Sequence, residues 1–129
     1  MDIVTKYDNY QLALRERKES KAFEEIFPLY FDHFYMIEVD GGGFEEPVTV
    51  GVIATSDIEN TVYIEWIEIS MAFRSNGFFY QTMNLLRNSF STKDIALKSS
   101  DENLLRYVKL GFVDDHIDEC TKLHYLIWR

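Results

Sequence analysis

The chain has 129 residues, 47% of them hydrophobic, with ten Phe, eight Tyr and two Trp, and a formal net charge of −9. That length and apolar content suffice for a single folded domain over residues 1–129. Acids outnumber bases 22 to 13, which argues against DNA or RNA as a partner, because binding them needs clustered Lys and Arg.

The single cysteine, Cys120, excludes an intrachain disulfide and suits a reducing compartment. Met1 to Lys6 lacks the basic start and apolar run of a signal peptide, and no stretch reaches the length of a membrane span. A cytoplasmic protein is expected, with no membrane partner. The acidic balance favours cationic substrates.

Residues 2–7 are compatible with a short strand. Residues 9–27, rich in Leu, Ala, Arg, Glu and Lys, read as helix, with Ser20 able to start a second helix that ends at Pro28. "FDHFYMIEV" (31–39) reads as a strand. Phe31, Phe34 and Tyr35 are core candidates that could instead line a pocket. "DGGGFEEP" follows as a glycine-rich turn. Glu46 stands where a dinucleotide-binding G-x-G-x-x-G would need its third glycine.

"VTVGVIATS" (48–56) and "VYIEWIEIS" (62–70) are rich in Val, Ile and Thr and read as antiparallel strands. From Asn76 to Phe90 the period changes: Phe79, Met83, Leu86 and Phe90 recur at helical spacing. "DIALKS" (94–99) is a strand, so strand 62–70, helix and strand 94–99 form a βαβ unit with parallel strands. Ser99 and Glu102 fit a capping box for the helix "DENLLRYVKL", which Gly111 closes. "FVDDHID" and "TKLHYLIWR" read as two closing strands. The fold class is α/β, a mixed α+β arrangement with antiparallel N-terminal strands, one parallel pair, and helices on both faces.

"FRSNGFFYQTMNLL" (73–86) places an arginine, two small polar residues and Gly77 where a helix begins. A helix start carries unpaired N–H groups and partial positive charge, and glycine lets a ligand approach them. The stretch therefore suits an anion, most plausibly phosphate.

"YIEWIEISMAFRSNGFF", with "RYVKLGF" (106–112) and the element order over nearly the whole chain, resembles the GNAT superfamily of N-acyltransferases. The first stretch is similar to the family's Q/R-x-x-G-x-G/A at a helix start, with Arg74 in the first position and Gly77 in the fourth. The second is close to its Y-x-K-x-G-F. The resemblance implies that the anion is the pyrophosphate of acetyl-CoA, held by backbone N–H groups of Arg74, Ser75, Asn76, Gly77, Phe78, Phe79 and Tyr80. It also implies that the pantetheine arm runs along the strand near Ile67 and Ile69. Two positions depart from the pattern. Phe79 replaces a small residue, although its spacing with Met83 and Leu86 points the ring into the core. Ser100 occupies the place of an asparagine that often lies seven residues before the tyrosine; Asn103 is too near Tyr107 to fill it.

Acyl transfer to an amine needs a proton acceptor, a polarised thioester and a proton for the departing thiolate. The resemblance implies Glu65 as base, nine residues before Arg74 in an apolar strand, where burial would raise its pKa; Glu68 is the alternative. It implies Tyr107 as the acid. His33, His116 and His124 show no metal-ligand spacing, and Cys120 has no base at hand, so neither a metal nor a thiol nucleophile is expected. The implied function is an N-acetyltransferase using acetyl-CoA, with a primary-amine acceptor on a small molecule, peptide or protein. The alternative is a non-catalytic acyl-CoA-binding or interaction module with a degenerate site. Homodimers are common in the family.

Overall fold

The computed structural model describes residues 2–7, 9–17 and 31–129. The strands are β1 (Ile3–Lys6), β2 (Tyr10–Glu16), β3 (His33–Gly41), β4 (Val48–Ile58), β5 (Thr61–Ile69), β6 (Asp94–Ser99), β7 (Val113–Ile117) and β8 (His124–Trp128). Helix α1 (Phe78–Ser89) lies between β5 and β6, and helix α2 (Asp101–Leu110) between β6 and β7. The eight strands form one sheet in the order β1-β2-β3-β4-β5-β6-β8-β7. Among the described residues β5–β6 is the parallel pair, as the βαβ reading requires, and the other neighbours are antiparallel.

The helix expected over 9–27 is corrected in its first half. Tyr10–Glu16 is a strand, paired with β1 on one side and β3 on the other. Its composition favours helix, but its pattern has period two: Leu12 and Leu14 are wholly buried on one face, with Gln11 and Arg15 on the other. Burial between two strands outweighs a propensity difference of a few tenths of a kcal/mol per residue. The second half, including the helix from Ser20 to Pro28, lies outside the described residues. So does any helix on the second face of the sheet.

Both described helices join one apolar cluster with the sheet. Leu12, Leu14, Ile37, Ile53, Val62, Ile95 and Leu126 lie in it, and α1 adds Phe78, Met83, Leu85 and Leu86. Helix α2 has no wholly buried residue and leans on the cluster through Leu104, Tyr107 and Leu110. Arg87 ties the end of α1 to the end of β8. It donates to the carbonyls of Trp128 (2.5 Å), Phe90 (2.6 Å) and Lys93, with its guanidinium 5.8 Å from the Trp128 ring centre. Gly111 closes α2 at φ 121°, where a Cβ would lie 2.7 Å from Trp128 Nε1. The expected capping box does not form. The N-cap is Ser100, which makes no side-chain cap bond, and Ser99 is buried with its hydroxyl donating to Ser100 O.

Two irregularities shape the middle of the sheet. The β3–β4 register shifts between Ile37 and Glu38, and the β4–β5 register shifts between Ala54 and Thr55, leaving Glu65 without a partner on β4. Such bulges bend a strand and increase its twist. The parallel pairing of β5 with β6 covers only Thr61 to Tyr63 and Asp94 to Ala96. Beyond Tyr63 the two strands part.

Candidate active site

A cleft of about 600 Å³ opens beside the unpaired stretch of β5. Its walls are Ile67, Glu68 and Ile69 from β5, Phe73, Arg74 and Ser75 from the following loop, Gly77 to Tyr80 at the start of α1, and Asn103, Arg106 and Tyr107 from α2. Ile67 is half-buried and Ile69 buried. At Ile67 and Ile69, which line the cleft, β5 has no β6 partner, so an extended ligand can pair with the backbone there.

The loop that turns β5 into α1 is held by its own side chains. Ser70 N–H bonds to Val50 O at 2.8 Å, and Met71–Phe73 forms one 3₁₀ turn. Arg74 Nε donates to Ile69 O at 2.9 Å, and its Nη2 lies 3.8 Å from Glu68 Oε1. Asn76 Nδ2 donates to the carbonyls of Phe73 and Arg74. Asn76 does not line the cleft; it staples the loop. The N–H of Arg74 is also spent, on Met71 O at 3.3 Å. The backbone donors from Ser75 to Tyr80 have no acceptor among the described residues. Ser75 and Gly77 both take positive φ, 69° and 80°, which turns the chain back on itself just before α1. A Cβ on Gly77 would meet nothing closer than Gln81 Nε2 at 3.9 Å, so this helix start is open on that side. The cradle of donors is therefore the six residues Ser75 to Tyr80 of loop and helix, and Arg74 itself serves as a brace.

Phe79 differs from the sequence reading. Phe78, not Phe79, is the buried ring of the first turn; Phe79 is half-buried and lines the cleft. Phe78 takes the buried place in the first turn of α1, and Phe79 packs at the margin of the core. Its ring meets Tyr107 edge-on at 5.8 Å, and the Arg106 guanidinium lies 5.3 Å from its centre. Tyr107 continues an aromatic chain to Phe112 (5.6 Å), which touches Trp128 (5.0 Å). Burial pushes the Tyr107 hydroxyl above its ordinary pKa, and the nearby Arg106 charge acts in the opposite direction. The hydroxyl has no hydrogen-bond partner among the described residues. It stays protonated at neutral pH.

Ser100 does not reach the cleft; Asn103 does. Asn103 and Tyr107 are four residues apart and share a helix face, so the helical period was the signal for both Asn103 and its neighbour Arg106. Glu65 does not line the cleft either. It sits at the β4–β5 bulge, two residues past the last β5–β6 pair, and is half-buried. Burial raises its pKa; the Ser56 hydroxyl and Lys98 pull it back, and Asp32 adds to the rise. Glu68 lines the cleft but is exposed and faces Arg74. The structure thus brings Ile67, Ile69, Ser75, Gly77, Phe78, Phe79, Tyr80 and Tyr107 together and leaves Glu65, Asn76 and Ser100 outside the cleft wall. Among the described residues no cluster of His, Cys, Asp and Glu could hold a metal ion, and no helix is long and apolar enough to cross a membrane.

A mixed sheet whose central parallel pair splays beside a helix start is the architecture of the GNAT acetyltransferases, and solved structures show the same fold. A GNAT-family acetyltransferase structure from Bacteroides thetaiotaomicron superposes with a TM-score of 0.59 at 17% identity, over 87% of this chain and 69% of that one. The Bacillus subtilis acetyltransferase solved with CoA gives 0.56 at 19% identity, over 89% of this chain and 97% of that one. Naa50 from Arabidopsis thaliana, solved with the bisubstrate analogue CoA-Ac-MVNAL, gives 0.58 at 15% identity, over 90% and 96%. No protein-family profile matches the sequence, and no curated protein matches it.

Proposed function

We propose that this chain is an N-acetyltransferase that moves an acetyl group from acetyl-CoA to a primary amine. The observation that carries the reading is the meeting of three features in one cleft: β5 at Ile67 and Ile69 without a β6 partner, a helix start with N–H groups that have no acceptor among the described residues, and a protonated tyrosine hydroxyl with no partner among them. The cleft volume lies within the usual range for small-molecule sites, about 300–1,000 Å³. Residues Ser75 to Tyr80 would take the pyrophosphate, with each donor near the helix end contributing about 0.3–2 kcal/mol. The backbone at Ile67 and Ile69 would pair with the pantetheine amides. A backbone N–H of β5 would also stabilise the oxyanion that forms on the thioester carbonyl.

In this reading the amine nitrogen attacks the thioester carbon, the C–S bond breaks, and the amide forms without a covalent enzyme intermediate. Glu65 accepts the amine proton, directly or through a water, and Tyr107 protonates the leaving thiolate. The raised pKa of Glu65 suits it to the base role.

The second reading, a binding module without turnover, draws on Phe79 and Glu68. A ring with a guanidinium over it stands at the first turn, and the carboxylate in the cleft wall is engaged by Arg74. A thiol-release assay with acetyl-CoA over a panel of amines tests both. Amine-dependent release of CoA supports the enzyme; acetyl-CoA binding with no release for any amine supports the module.

A further inference from the structure

On the sheet face that carries Lys98 and Tyr125, three rings form a column just before the point where β5 and β6 part. Tyr63 stacks on Tyr125 with ring centres 6.3 Å apart and planes at 16°. Tyr125 stacks on His116 at 5.0 Å and 19°. The column crosses three strands, since Tyr63 pairs with Ala96 on β6, and Tyr125 pairs with both Lys98 on β6 and His116 on β7. Neither tyrosine is fully buried and His116 is exposed, so the column is reachable from solvent.

Carboxylates surround it. Burial, followed by the charges of Glu65, Tyr125 and Asp118, pushes the Tyr63 hydroxyl up to about 12. Burial, then Asp115 and Asp94, raises Tyr125. Among the described residues Lys98 lies 3.5 Å from Asp118, and His116 Nδ1 lies 2.7 Å from Asp115. The Ser56 hydroxyl lies opposite Tyr63 in the register, only 4% exposed, and acts on the Glu65 carboxylate beside it. Stacked rings beside surplus negative charge suit a positively charged, hydrogen-bond-donating guest.

We propose that this column is the acceptor subsite and that the acceptor is a polycationic amine: one ammonium group rests on the Tyr63–Tyr125 face among Glu65 and Asp118 while a second, deprotonated amine reaches the gap between β5 and β6. The assignment of the subsite to an acceptor rests on the acyltransferase reading; the binding of a polycation does not. Glu65 lies between the column and the cleft-lining Ile67, which places the base at the junction of the two sites.

Spermidine is the probe. Calorimetric titration without acetyl-CoA should show saturable binding that weakens as salt is raised. Tyr125→Leu should weaken it about 3–30-fold, the range of a partly desolvated cation–π contact, while Tyr125→Phe, which keeps the ring, should bind as the parent does. Asp118→Asn should weaken binding and leave the acetyl-CoA-induced rise in Tm intact. No spermidine binding by the parent protein, or equal binding by Tyr125→Leu and the parent, overturns the proposal. So does acetylation of glutamate at a higher kcat/KM than spermidine, an outcome that would leave the enzyme reading standing. Spermidine binding with the expected variant pattern but no acetyl-CoA shift would instead sink the enzyme reading and support the polycation site.

Discussion

Phe79 stands where a small residue would give a ligand the closest approach to the helix start, yet its ring is turned along the cleft wall onto Tyr107. Helical spacing alone points this ring into the core, because the stripe Phe79, Met83, Leu86 and Phe90 is regular; what the sequence does not state is that Phe78 takes the buried place in the first turn while α2 brings Tyr107 and Arg106 against Phe79. Phe79→Ala should therefore cost about 1–2 kcal/mol in denaturant melts, well below the 3–5 kcal/mol of a wholly buried Phe. Acetyl-CoA affinity measured on the same protein should change little, because the ring is engaged by Tyr107 and Arg106 and the backbone N–H is kept. Much tighter binding would show that the ring obstructs the site. At Tyr107 the expectation concerns chemistry. Tyr107→Phe keeps the ring contacts with Phe79 and Phe112 and removes only the hydroxyl, so kcat should fall about 10²–10⁴-fold with acetyl-CoA affinity preserved. A variant as fast as the parent would assign the thiolate's proton to water.

At the scale of elements, β4, β5 and both helices were legible because their Val, Ile and Thr runs or helical spacing stand out between turn and cap residues. The exception is β2, where Leu, Ala, Arg and Glu supply helix formers in an alternating order that only a partner strand on each side makes decisive. The bulge at Glu65 was equally hidden: nothing in "VYIEWIEIS" marks the extra residue, and the result is that the base candidate leaves the cleft wall. Gly51 shows how tightly this region is set. A Cβ there would lie 2.3 Å from Glu68 O, on the strand that forms the cleft edge. Gly51→Ala should destabilise by about 1–3 kcal/mol and also weaken acetyl-CoA binding, because β5 must shift to admit the methyl group. Gly77→Glu separates these effects. Its side chain enters open space, so the fold should survive the strain of a positive φ, about 1–2 kcal/mol. A carboxylate placed beside the donors of Ser75 to Tyr80 should nevertheless abolish the acetyl-CoA-induced rise in Tm, which for the parent at a hundred times Kd corresponds to about 2.7 kcal/mol. A folded Gly77→Glu protein with the full shift would remove the phosphate from this helix start.

For the whole molecule the dominant fact is the charge of −9, and two histidines answer it by joining elements that repel. His33 on β3 lies 2.9 Å from Glu16 of β2 and 2.9 Å from Asp57 of β4, with Tyr35 stacked beside it. His124 on β8 lies 2.5 Å from Asp101 of α2 and 2.8 Å from Asp114 of β7. The hydrogen bonds to Glu16 and to Asp101 are the largest causes of raised pKa values at His33 and His124, respectively. A raised folded pKa means that the protonated ring is favoured by folding. The stabilisation is complete below the unfolded value of about 6.5 and is lost as pH climbs through the folded value, leaving paired carboxylates facing a neutral ring. The Tm should therefore be higher at pH 6 than at pH 8, and the difference should shrink in His33→Gln and His124→Gln and nearly vanish in the double variant. Differential scanning calorimetry at fixed ionic strength measures it. A double variant that keeps the parent's full pH dependence would mean that the slope comes from the general self-repulsion of an acidic surface and not from these two bridges.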